Sequence, residues 1–80
     1  MATLKYRYDS DVDTIYIYLN DKPYAYTKEL DNKRHIDYDS DGTPMGIELL
    51  YVSDGISLED LPYRTGVECI LEKERVRILV

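Results

Sequence analysis

The stretch DYDSDGTPMGIE, residues 37–48, admits two incompatible readings, and the choice between them decides the fold. Read as D-x-[DN]-x-[DN]-G-x5-E it spells a calcium loop, with Asp37, Asp39 and Asp41 at alternate residues, Gly42 at the sharp bend and Glu48 closing the cage. Read as DSDGTP between two apolar runs it spells a hairpin tip, where Asp and Ser side chains bond the backbone and Gly42 supplies a positive φ. The remaining calcium ligands would be the Thr43 carbonyl and a water near Met45. The flanks discriminate. An EF-hand loop lies between helices, whereas IDYD before and MGIELLY after alternate as strands do. Pro44 also stands at the eighth loop position, where an EF-hand makes a short backbone contact with a partner loop and proline has no N–H to donate. The stretch is therefore expected to be a hairpin, with no metal.

Working outward, the same period of two runs through the first fifty residues. Leu4, Tyr6 and Tyr8 alternate with Lys5 and Arg7, and Ile15, Ile17 and Leu19 alternate with Thr14, Tyr16 and Tyr18. NDKP breaks the pattern, because Pro23 cannot donate to a ladder. Tyr24, Tyr26, Lys28 and Leu30 then share one side of a third strand. Ile36 and Tyr38 lie opposite His35 and Asp37, and Met45, Ile47, Leu49 and Tyr51 oppose Glu48 and Leu50. Five short strands with tight turns predict an antiparallel β-meander over residues 1–52.

The pattern changes at Ser57. Ser57 and Asp60 have capping-box spacing, Pro62 suits a first helical turn, and Tyr63, Val67, Ile70 and Leu71 recur on one helical face. Gly66 opposes a helix, and a hairpin of VECILE with RVRILV around Lys73–Glu74 competes with it. The favoured reading is a helix followed by a final strand. The fold class is thus α+β, in the order β-β-β-β-β-α-β, as one domain over residues 1–80, with the helix and terminal strand in 53–80.

Composition narrows function. Sixteen acids against ten bases give a net charge of −6, and from Ile36 to Tyr63 seven acids stand without a Lys or Arg. Nucleic-acid binders need clustered cations, so direct nucleic-acid binding is disfavoured and a basic protein partner is expected. A core of this size is marginal, so a homodimer is a possible partner arrangement. No apolar run approaches membrane-spanning length, the N-terminus is polar almost at once, and the single Cys69 fits a reducing compartment, so a cytoplasmic protein is expected. Nine tyrosines without Phe or Trp suit half-buried or interface positions.

Catalytic chemistry lacks its parts. The only histidine, His35, is expected to face solvent with no nucleophile to activate, and Cys69 is expected to be a small, partly buried side chain with no adjacent cation in sequence. One His and one Cys exclude a zinc site built from such ligands within one chain. Carboxylates are plentiful, but no cleft is implied to set two of them across a substrate. The expectation is no enzyme and no cofactor.

Two motifs carry a resemblance. YDSDVDTIYI from Tyr8 to Ile17 and IDYDSDGTPMGIE from Ile36 to Glu48 together resemble the small prokaryotic and phage proteins classed as domain of unknown function 2283. The likeness covers about Leu4 to Leu50, and ISLEDLP with the segment after it is similar to longer members that append a helix and a strand. The resemblance supplies no catalytic residues. It implies small stand-alone proteins, some beside a toxin-like neighbour.

The expected function is that of a small acidic interaction domain, antitoxin-like, that neutralises a basic partner. Tyr16, Tyr18, Tyr24 and Tyr26 would give contact area, and Asp9, Asp11, Asp13, Asp39 and Asp41 would meet cations. A phage-encoded inhibitor of a host defence complex would use the same face. A weak calcium module would use Asp37, Asp39, Asp41 and Glu48 instead, and a small hydrolase is the remaining reading.

Overall fold

Ile15 and Ile17 face Leu49 and Ile47 across two adjacent strands, and Ile36 lies opposite Ile47 on a third. All five are fully buried, so the alternation read from the sequence is the inner face of a sheet. In the computed structural model, which describes residues 4–79, that sheet comprises β1 (Lys5–Asp9), β2 (Thr14–Tyr18), β3 (Tyr26–Asp31), β4 (Arg34–Tyr38) and β5 (Pro44–Leu50). The expected five-stranded antiparallel meander is present, in the spatial order β1-β2-β5-β4-β3. Hairpins join β1 to β2 and run through β3, β4 and β5, while residues 19–25 carry the chain from β2 to the far edge.

Residues 37–48 form the β4–β5 hairpin. Asp39 N–H donates to the Thr43 carbonyl at 3.0 Å and Gly42 N–H to the Asp39 carbonyl at 3.1 Å, which closes the turn. A 3₁₀ turn (Val52–Asp54), a short strand β6 (Ile56–Ser57), the helix α1 (Arg64–Lys73) and β7 (Ile78–Leu79) follow. The helix buries Val67, Ile70 and Leu71 together with Leu58, Leu61 and the sheet isoleucines. Gly66 permits this approach, because a Cβ there would press on the Leu4 side chain.

Four expectations need correction. The helix begins at Arg64, and Tyr63 stands before it with φ 54° and 55% exposed, not on the buried face. Leu61 precedes Pro62 and is biased away from helical geometry, which delays the start. Ser57 does not cap the helix: it pairs with Leu79, and its hydroxyl accepts from Glu59 N–H at 3.2 Å. The expected final strand is present as β7, which runs parallel to β6 in a separate pair. Tyr51 ends the β5 alternation, exposed and at φ 53°. Cys69 is exposed rather than partly buried. Residues 1–3 and Val80, the last residue of the expected RVRILV strand, lie outside the described residues.

Arg34 ties the two halves together. Its guanidinium is buried, binds Asp31 through Nε at 3.1 Å and Nη2 at 2.9 Å, and donates to the backbone carbonyls of Ser57 and Glu59. Burial alone would raise the Asp31 carboxyl, but hydrogen bonds from Arg34 and the backbone hold it below the usual carboxylate range. Among the described residues no helix is long and apolar enough to cross a membrane.

Candidate functional site

The helix covers one face of the sheet, and the register builds the other. One row across it reads Lys5, Tyr18, Gly46, Asp37, Thr27, and the next reads Arg7, Tyr16, Glu48, His35, Glu29. The two rows interlock through Tyr16. Gly46 has no side chain, so the Tyr16 ring leans across it, and a Cβ on Gly46 would collide with that ring and hydroxyl. The hydroxyl reaches Asp37 Oδ2 at 2.7 Å. Thr27 Oγ1 donates to Asp37 Oδ1 at 2.6 Å and lies 2.8 Å from the Tyr24 hydroxyl. A continuous polar chain therefore runs Tyr16–Asp37–Thr27–Tyr24. Tyr18 packs edge-on against Tyr16, with centroids 5.0 Å apart and planes at 69°.

This arrangement fixes charge as well as shape. Partial burial, followed by the Asp37 hydrogen bond, pushes the Tyr16 phenol well above its usual value, so it stays a neutral donor to Asp37. Beside it, His35 Nδ1 lies 3.3 Å from Glu48 Oε1, and its Nε2 lies 3.7 Å from Glu29 Oε1. His35 is on the outer face as expected, yet its side chain is mostly covered by these neighbours.

The acidic turn at the β4–β5 end is built by Asp39. Its side chain is almost fully buried, and Oδ1 accepts the Asp41 and Thr43 N–H groups, both at 2.9 Å. Oδ2 has Lys22 Nζ at 3.8 Å. Asp39 therefore shapes the turn, while Asp41 is left exposed at its tip.

The proposed contact residues do not form one surface. Tyr16 and Tyr18 lie on the outer face, Tyr24 lies on the loop that adjoins it, and Tyr26 is on the opposite face, stacked on Tyr38 with centroids 5.1 Å apart. The other acidic turn is at the far end of β2. There Asp9 Oδ1 accepts Asp11 N–H at 3.0 Å, and Asp13 accepts the Ser53 hydroxyl at 2.6 Å and its N–H. Asp9, Asp11 and Asp13 are thus separated by the strand length from Asp39 and Asp41, because β2 and β5 are antiparallel with Thr14 opposite Leu50.

The calcium set is also dispersed. Asp37 is engaged by Tyr16 and Thr27, Asp39 by its own turn, and Glu48 lies beside His35. Among the described residues no three His, Cys, Asp or Glu side chains are gathered to hold a metal ion. Sequence reading missed Thr27 and Gly46. The available signal was hairpin register, which sets Gly46 opposite Asp37 and Thr27 opposite Asp37 once the β3–β4–β5 hairpins are drawn.

No curated protein and no solved structure matches the chain. A family model described as Protein of unknown function (DUF2283) matches residues 5–53, more than half of the 80. Its span takes in β1 to β5, with Tyr16, Thr27, Asp37 and Gly46, and stops short of the helix. The chain belongs to the DUF2283 family.

Proposed function

We propose that the chain is a non-enzymatic, acidic interaction domain, antitoxin-like in that it neutralises a basic partner protein by covering its surface. The observation that carries this reading is the open sheet face, where the Tyr16–Asp37–Thr27–Tyr24 chain adjoins the exposed Asp41 turn. Tyr18 and Tyr24 are 41% and 59% exposed and supply rigid contact area at low conformational cost. Asp37 is held by two hydroxyls, so its charge is positioned before a partner arrives. The β1–β2 end is less suited, because Asp9 and Asp13 are occupied in local backbone contacts and Arg77 lies against Asp54 beside Ser53.

The test is capture from native host lysate on tagged protein, in parallel with Tyr18→Ala, Tyr24→Ala and Asp11→Asn, each with calcium and with chelator. The expected result is one basic protein held by wild type and Asp11→Asn in both conditions, lost from the two tyrosine variants, and released by about 0.5 M salt. Equal capture by the tyrosine variants, or retention of no basic protein, would reject the reading. Loss on chelation alone would return the calcium module to favour.

A further inference from the structure

The helix α1 ends in a Schellman motif. Arg75 N–H donates to the Glu72 carbonyl at 3.1 Å and Val76 N–H to the Leu71 carbonyl at 2.8 Å. The residue that takes the left-handed conformation in this motif is usually glycine, yet here it is Arg75, at φ 59°. A strained non-glycine residue in such a position points to a use for its side chain. Arg75 lines a cleft of about 360 Å³ between the helix end and the β1–β2 end of the sheet.

The cleft has two chemically distinct parts. Arg75 and Arg77 line it, and among the described residues neither has a carboxylate within 4.0 Å. Arg77 is steadied by donating to the Asp54 carbonyl at 3.3 Å. Val52, Val76 and Tyr8, the last 40% exposed, are its apolar lining residues. Glu74 closes one side, with Oε2 accepting from the Tyr6 hydroxyl at 2.5 Å.

We infer that this cleft binds a small phosphate monoester with a ring-shaped body, its phosphate between Arg75 and Arg77 and its ring against Tyr8. Two guanidiniums carried by one short segment match a group with three acceptor oxygens better than a single carboxylate. The volume suits a small molecule. Glu74 offers a carboxylate to an amino or ring N–H of the same ligand. The site lies at the opposite end of the sheet from Tyr24 and Asp41 and does not rest on the proposed partner function.

The test titrates adenosine monophosphate and inorganic phosphate into the protein at low salt, read by NMR shifts, with thermal melts of each variant. Adenosine monophosphate is expected to shift Tyr8 and Arg75 and to bind more tightly than inorganic phosphate. Arg75→Gly is expected to weaken binding at least about tenfold while melting at the same or a higher temperature, since glycine relieves the strain. Arg77→Gln should weaken binding similarly, and Asp21→Asn, an exposed position in the β2–β3 connection, should leave it unchanged. The inference is overturned by no shift at about 10 mM ligand, by equal affinity for the two probes, by unchanged binding in Arg75→Gly, or by a lower melting temperature of that variant.

Discussion

The Tyr16 hydroxyl meets Asp37 Oδ2 at 2.7 Å only because Gly46, between them, has no side chain. Gly46→Ala should displace the ring and destabilise the fold by about 1–3 kcal/mol, as overpacking does. Tyr16→Phe keeps the ring and loses the bond, at about 1 kcal/mol. Because the alanine already breaks that bond, the two changes should not add, and the double variant should cost about as much as Gly46→Ala alone. Urea unfolding of the four proteins measures this, and full additivity would show that Gly46 does not govern the contact.

The same pair sets an alkaline limit. Tyr16 in the folded chain has a phenol pKa raised above its usual value near 10, first by burial and then by Asp37. The stability it contributes is therefore complete below the unfolded pKa and is lost as pH rises through the folded one. An absorbance titration of the phenols should show a late-ionising group that vanishes in Tyr16→Phe. The decline of stability above pH 10 should be shallower in that variant.

Arg34→Met should cost about 2–3 kcal/mol, a fall in Tm of roughly 10–20 °C for a domain of this size. The change removes the Asp31 ion pair and leaves the Ser57 and Glu59 carbonyls without their donor. Asp31 has a folded-state pKa below the usual carboxylate range, with Arg34 a main cause of the lowering. That contribution is present above the unfolded pKa and is lost as pH falls through the folded one, so the acid limb of stability should flatten in Arg34→Met. Melts between pH 2 and pH 6, on the order of that carboxylate range, check both statements.

Asp39→Ala should cost about 1–2 kcal/mol, because the Asp41 and Thr43 N–H groups lose their acceptor. Lys22→Met should cost under about 0.5 kcal/mol, since its ammonium is half exposed and 3.8 Å from Asp39. Millimolar calcium should leave the melting temperature of the wild type unchanged. A calcium-dependent rise that disappears in Asp39→Ala would instead show that the turn rearranges around the ion.

Alternation was enough to find the core, because Ile15, Ile17, Ile36, Ile47 and Leu49 each sit where a period of two puts them. The helix was legible through Val67, Ile70 and Leu71, but Tyr63 satisfied the same spacing from outside it. Periodicity does not register that Pro62 postpones the first turn. Arg34 could not be read at all, since its carbonyl partners lie 23 and 25 residues later in a segment without a repeating pattern. The site was half legible. Tyr16 and Asp37 were each singled out, but for different purposes, a contact face and a metal loop. Joining them needs the order β2-β5-β4, which no local pattern encodes.

That order has a consequence for synthesis of the chain. Thr14 pairs with Leu50, so β2 waits for a partner made 36 residues after it, while the β1–β2 and β3–β4 hairpins need only local sequence. A ribosome that has delivered no more than β4 holds two hairpins with nothing to join them, and the inner edge of β2 stays open to pairing with other chains. Emergence of β5 inserts the central strand and converts two local pieces into one sheet. The least local step of assembly is thereby placed at a single strand, which carries Gly46 and Ile47 into the middle of the molecule.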